Sequence, residues 1–330
     1  MHSQTPTRRL AGLALHLAAV ALAWATTGNA LAQDYPSKPM TIVVPFAAGS
    51  GTDQLARLVA QGLSTEFKAS VVVDDKPGAS GFIASQYVAR APADGHTLLM
   101  TTNTTHAANE HLYSKLPYDP VKDFTPVILL AKGHMALLVK TDSPIRSVDD
   151  LLKAARSRPG KLSFGSGSSS SRVGSELLRQ MAGLDALHVP YKSNPFALTD
   201  LIGGQIDFMF ADAPTALPQV QGGKLRALAV SGPKRLASLP QVPTVDEAGV
   251  KGYDMSYWTA VYLPAGAPAA VVKRLNEMLA KVMAGPSLLA FQAQTSGETA
   301  LSTPEGLAAF QAAESLKWGR VIKAAGIQPE

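Results

Sequence analysis

Twice along this chain an apolar, strand-length run gives way to a cluster of Gly, Ser and Thr, and a helix-period run follows at once. The clearest instance is TIVVPFAAGSGTDQLARLV at residues 41–59, where MTIVVPF reads as a buried strand and Leu55, Leu58, Val59 and Leu63 mark one helical face. SVVVDD, the turn KPGASG, a helix through Ile83, Tyr87 and Val88, and the strand HTLLMTT complete a β-α-β-α-β order. A second block begins near VILLAKGHMALLVK. It continues with a helix from Val148 to Ala155, KLSFG, a helix through Val173, Leu177, Leu178 and Met181, LHVPY, a helix over Ala197–Ile202, IDFMF and LRALAV. Such alternation predicts two α/β units, each a mostly parallel sheet with helices on both faces. At 330 residues the chain is long enough for both. Beyond Gly252, SYWTAVYLPAG and two helices, around Val271–Met283 and Pro304–Ala325, are too few for a core of their own and must pack on an earlier unit.

The small polar clusters AAGSGTD, GASG, TTNTT and GSGSSSS all follow strand ends. In open α/β sheets the ligand crevice lies there, beside helix starts. Loops of this kind from two units predict a cleft between domains. In the first loop Gly49 and Gly51 leave backbone N–H groups bare, Thr52 adds a hydroxyl, and Asp53 is expected to cap the helix that follows. A helix start of this kind favours an anion.

The first residues have a different character. Arg8 and Arg9 precede an apolar run from Leu10 to Ala25, and Ala30-Leu31-Ala32 forms a small-x-small site before Gln33. This is the layout of a secretory signal peptide over residues 1–32, cut after Ala32. The run is shorter than the roughly 20 residues of a membrane-spanning helix. The chain has no cysteine, so neither a disulfide nor a lipidated N-terminal cysteine is available to it. Cleavage would remove two arginines from the formal charge of +5 and leave +3, too mild for nucleic acid and compatible with an acidic small ligand.

Taken in order, VVPFAAGSGTD, DDKPGASG, APADGHTLL, KLPYDPVKDF, VPYK, GGQIDFMF, GGKLRALAV and LPQVPTVDEAG resemble the Bug/TctC family of periplasmic solute-binding proteins of tripartite tricarboxylate transporters. The resemblance runs from Tyr35 to Glu330. It implies a two-domain Venus-flytrap fold whose chain crosses between domains twice. Residues 34–132 with 254–330 would form one domain and 133–253 the other. It further implies a small carboxylate held in the interdomain cleft by backbone amides and waters of two loops, which here are Ala47–Asp53 and Ser166–Ser171. Expected ligand contacts are Ala48, Gly49, Ser50, Gly51, Thr52, Asp53, Ser80, Thr102, Asn103, Ser166, Ser168, Ser169, Ser170, Ser171, Arg172, Tyr191 and Asp212.

Several of these have an alternative reading. The serine loop is shorter than the family form, with Arg172 where relatives have histidine; Arg172 grips a carboxylate or is an exposed arginine of the first helical turn. Relatives carry Asp-Asn where this chain has Ala211-Asp212, so Ala211 removes an acid able to pair with a ligand ammonium and favours a carboxylate without an amino group. Asp53 and Asp212 serve as helix caps or as contacts. Tyr191 and Trp258 close over the ligand or pack in the core. His106 touches ligand or lies at the surface.

Catalytic alternatives fare poorly. Gly49-Ser50-Gly51 with Asp74 or Asp75 imitates part of a dinucleotide fingerprint, but Gln54 stands at the third glycine position. GSGSSSS contains no G-x-S-x-G elbow and no Walker lysine follows the first loop. His96, His106, His111, His134 and His188 lack the paired spacing of common metal sites. With no catalytic candidate left, the resemblance implies a monomeric, non-enzymatic periplasmic receptor without cofactor or metal. It would hand a carboxylate to membrane permease subunits, or alternatively act as the ligand sensor of a signalling system.

Overall fold

The computed structural model describes residues 35–330, so the expected signal peptide lies outside the described residues. Two sheets organise them. Residues up to Gly133 supply β1 (Met40–Val44), α1 (Gly51–Phe67), β2 (Val71–Asp75), α2 (Phe82–Ala89), β3 (Thr97–Thr102), the short α3 (Asn109–Leu112) and β4 (Phe124–Gly133). The chain then supplies β5 (Met135–Lys140), α4 (Val148–Ser157), β6 (Leu162–Ser166), α5 (Ser169–Ala182), β7 (Ala186–Pro190), α6 (Asn194–Gly203), β8 (Phe208–Asp212), α7 (Ala213–Gln221) and β9 (Leu225–Val230). It returns with β10 (Tyr257–Pro264), α8 (Ala269–Met283), α9 (Pro286–Thr295), β11 (Glu298–Thr299) and α10 (Pro304–Ala324). The first sheet has the order β11-β4-β10-β3-β1-β2 and the second β7-β6-β8-β5-β9.

The architecture is α/β as expected, but the sheets are mixed rather than mostly parallel. In the first, β1 runs parallel to β2 and β3, while β10 is antiparallel to β3 and β4. In the second, β6 is parallel to β7 and β8, while β5 is antiparallel to β8 and β9. The cause is the connections. β5 and β10 have each just crossed from the other side, β5 from β4 through His134 alone and β10 from the segment after Val230, so they start at the edge where β8 and β3 end and run against them. These two passages carry the chain from the first sheet to the second and back.

Period-two alternation explains the continuous apolar strands. Ile42, Val44, Leu98 and Met100 pack with Leu55, Val59 and Leu63 of α1 and Leu275 and Leu279 of α8. Val43 and Leu99 face the other way, among Ala84 and Val88 of α2 and Trp318 and Ile322 of α10. Both faces are therefore buried, as sheets covered by helices require. α10 also packs against α5, so one apolar cluster joins the two halves. α9 and β11 escape the sequence pattern: α9 opens on Pro286 after Gly285, but its apolar residues form no stripe.

Strand direction fixes where the loops gather. β6 lies between β7 and β8 and is parallel to both, so α5, α6 and α7 all start along the same edge of the second sheet. The start of α1, after β1, faces them from the first sheet, and Gln54 Nε2 of α1 donates to the Pro214 carbonyl at 3.4 Å.

Candidate functional site

A narrow cleft enclosing about 50 Å³ of free space lies where these helix starts meet. The first sheet's side contributes Phe46, Ser50, Gly51, Thr52, Leu55, Thr102, Ala131, Lys132, Tyr257, Thr259, Phe291, Gln292 and Thr295. The second contributes Met135, Ser168, Ser170, Ser193, Asn194, Asp212 and Pro214. The expected contacts brought together here are thus Ser50, Gly51, Thr52, Thr102, Ser168, Ser170 and Asp212.

The helix starts differ in how their N–H groups are used. Ser50 is the N-cap of α1, accepting from the Asp53 N–H at 3.2 Å, and Ser168 does the same for α5 with the Ser171 N–H at 3.2 Å. The N–H groups of Gly51, Thr52 and Ser170, in the first turns of these helices, have no intrahelical acceptor. All three residues line the cleft, two from one side and one from the other. At α6 and α7 the N-cap side chains have other partners. Ser193 Oγ accepts the Ala47 N–H across the cleft at 3.1 Å, and Asp212 accepts from Asn194 Nδ2 at 2.9 Å and from the Thr215 hydroxyl at 2.5 Å. Proline at the second helical position of both removes a further donor.

Two glycines permit this close approach. A Cβ on Gly167 would collide with the Ser193 and Asn194 backbone, so the α5 loop lies directly on the start of α6, and the Gly167 N–H donates to Asn194 Oδ1 at 3.0 Å. A Cβ on Gly51 would collide with Asp212 Oδ2 from the opposite side.

The remaining expected contacts lie elsewhere. Ala48 and Gly49 are exposed at the rim, and the Gly49 N–H donates to Asp53 Oδ2 at 2.8 Å. Asp53 is not the cap, because Ser50 takes that role and the helix starts three residues earlier than a cap at Asp53 would set it; it is buried, holds that loop amide and pairs with Arg57 at 2.7 Å. Asn103 is fully buried, its Nδ2 donating to Ser170 Oγ at 2.8 Å and its Oδ1 accepting the Trp258 N–H at 3.3 Å. It shapes the cleft wall from behind. Ser171 points inward and donates to the Phe210 carbonyl.

Ser80, Ser166, Ser169, Arg172 and Tyr191 line a separate cavity of about 130 Å³ on the far side of the serine loop, with Tyr113, His188 and Glu330. There Arg172 is neither an exposed arginine nor a group of the cleft; its Nη2 pairs with Glu330 at 2.6 Å. Ser169 Oγ donates to Asn109 at 2.9 Å, and the Tyr191 hydroxyl donates to Asp200 at 2.7 Å. Trp258 is a core residue whose indole N–H reaches Glu314 at 3.1 Å. His106 is fully buried rather than at the surface, stacked on Tyr262 with ring centroids 4.0 Å apart. Ala211 is buried with Ala136, Leu138 and Met209, so its side chain faces away from the cleft and its identity says nothing about the ligand.

Ser193 and Asn194 were missed, although Ser193-Asn194-Pro195 after a strand carries the same cap-then-proline signal as other helix starts. Lys132, Tyr257 and Gln292 had no local signal, since they reach the cleft through sheet order and through the unforeseen α9. Among the described residues no group of three or more His, Cys, Asp or Glu could hold a metal ion. Burial, and secondarily the charge of Asp212, push the Tyr257 phenol well above its usual range.

Residues 55–327 match the tripartite tricarboxylate transporter family receptor, TctC. The chain belongs to this family. Its fold is close to that of an R. palustris protein solved with adipate, at a TM-score of 0.87 and 38% identity, covering 90% of this chain and 100% of that one. The periplasmic binding protein BugD gives 0.86 and 31%, with 90% and 100% covered. MatC from Rhodopseudomonas palustris with bound malate gives 0.82 and 30%, with 87% and 100% covered. TctC members are solute receptors rather than enzymes, and this chain shares their two-domain fold.

Burial holds the His106 imidazole at about 3, below its ordinary 6.5. A neutral folded imidazole contributes stability that is complete above pH 6.5 and is lost as pH falls towards 3. Urea unfolding of wild type and His106→Leu across this range should show a wild-type decline that is shallower in the variant; equal slopes would contradict the assignment.

Proposed function

We propose that this TctC protein is a periplasmic receptor that binds a small organic carboxylate between its two lobes and presents it to the membrane permease subunits of a tripartite transporter. The observation that carries this reading is the convergence of the Gly51, Thr52 and Ser170 N–H groups, from opposite sides, on one cleft. Each lies at the positive end of a helix dipole, where an anion is stabilised by fixed partial charges without a matching cation. The hydroxyls of Ser50, Thr52, Thr102, Ser168 and Ser193 surround them and can donate or accept. The adipate- and malate-bound relatives support the same ligand class.

In this reading residues 34–132 with 254–330 form one lobe and 133–253 the other, and the receptor works as a monomer exported with cleavage after Ala32. Ligand draws the lobes together because only the closed form engages donors of both at once, and an equilibrium shifts only by such differential affinity. Hydrogen bonds already spanning the cleft, Ala47 to Ser193 and Asn103 to Ser170, would help define the closed form.

A thermal-shift screen against small carboxylates tests the reading. An acid at about 100 times its Kd should add about 2.7 kcal/mol to stability. Gly51→Ala should fold normally, because its φ is ordinary for alanine, yet lose at least tenfold in affinity as its methyl meets Asp212. No stabilisation by any acid would contradict the reading, and full affinity in Gly51→Ala would contradict the closure geometry.

A further inference from the structure

The cleft contains one acidic side chain among its lining residues, and it belongs to the second lobe. Alternation along β8 sends Ala211 into the core and Asp212 into the cleft. Asp212 occupies the N-cap position of α7 but makes no capping bond to the helix amides. Instead Asn194 Nδ2 and the Thr215 hydroxyl each donate to it, fixing the carboxylate in place. Two donors leave about half of a carboxylate's roughly four acceptor sites free. The Oδ2 oxygen lies directly against Gly51, so close that a Cβ there would collide with it, beside the turn that offers bare N–H groups to an anion.

Among the described residues no cation forms a salt bridge with this carboxylate. Lys132 also lines the cleft, but its ammonium lies 4.5 Å from the centre of the Phe310 ring on α10. Arg172 is outside the cleft and pairs with Glu330. The site therefore combines a carboxylate-attracting turn with a fixed negative charge facing it.

We propose that Asp212 sets the ligand class of this cleft, selecting acids that carry an ammonium group away from the carboxylate over dicarboxylates of the same length. This rests on the cleft being a carboxylate site, as read above. One end of such a ligand meets the N–H groups of Gly51, Thr52 and Ser170, and the other completes a charge-assisted hydrogen bond with Asp212. A second carboxylate would instead meet a like charge where little water is present to screen it. The selectivity is thus a property of the second lobe's β8–α7 turn, while the affinity for the common carboxylate is a property of both lobes.

Isothermal titration at pH 7 with three matched pairs separates the charges at constant length: succinate and 4-aminobutanoate, glutarate and 5-aminopentanoate, adipate and 6-aminohexanoate. Wild type should bind the amino acid of at least one pair tenfold or more tighter than the diacid. Asp212→Asn, which keeps the shape and the hydrogen bonding to Thr215, should reverse that order. Asp212→Ala should abolish the preference for ammonium as well. Equal or tighter binding of the diacids by wild type, or an unchanged ratio in both variants, overturns the assignment of Asp212 while leaving the carboxylate site standing. Failure of all six compounds to bind any of the three proteins overturns the proposal, while the carboxylate reading stands or falls with the thermal-shift screen.

Discussion

Backbone N–H groups at a helix start are donors that the helix itself cannot satisfy. In this protein the arrangement of two sheets brings such groups from opposite sides to one narrow space. A side-chain cation would need its own burial and pairing, whereas a peptide dipole is already fixed by the fold and pays little reorganisation on meeting an anion. The rest of the site follows from keeping these donors bare and close. Ser50 and Ser168 each cap the third N–H of their helix and leave those of Gly51, Thr52 and Ser170 to the cleft. Asp53 pins the glycine loop by taking the Gly49 N–H, and Asn103 braces Ser170 from behind. Gly167 lets the α6 backbone, and Gly51 the Asp212 side chain, approach where a side chain would intervene.

A second layer of contacts ties the two sides together outside the cleft. Ser169 Oγ reaches Asn109, Ser169 N–H reaches Thr104 at 3.3 Å, Arg172 pairs with Glu330, and the Ser238 N–H donates to Ser296 Oγ at 2.8 Å. These bonds flank the serine loop and the C-terminal segment. The bonds of Ser169 and Arg172 hold α5 against the first sheet's side, so that Ser170 faces Gly51 and Thr52 rather than solvent.

Much of this was legible in the sequence because local physics governs it. The strand-loop-helix alternation, the glycine loop at 47–53 and the serine loop at 166–171 are set by residues adjacent in the chain. What escaped was long-range. Arg172 reads locally as a candidate anion grip, yet its partner Glu330 is 158 positions away. Trp258 reads equally as lid or core until Glu314 of α10 is seen to accept its indole N–H. The pair Ala211-Asp212 misled because the phase of β8, not the residue types, decides which of the two faces the cleft. The sheets turned out mixed because β5 and β10 enter their sheets directly after the chain has crossed over, at the edge where the parallel strands end.

The central claim is that donors of both lobes grasp the same anion. Amide chemical shifts of isotopically labelled protein, followed during titration with an acid that binds, test it most directly. The Gly51, Thr52 and Ser170 resonances should move together with a single binding constant, each towards the downfield position of a shorter hydrogen bond. Saturable binding with the shifts confined to one lobe, or with all three resonances unmoved, would contradict the account.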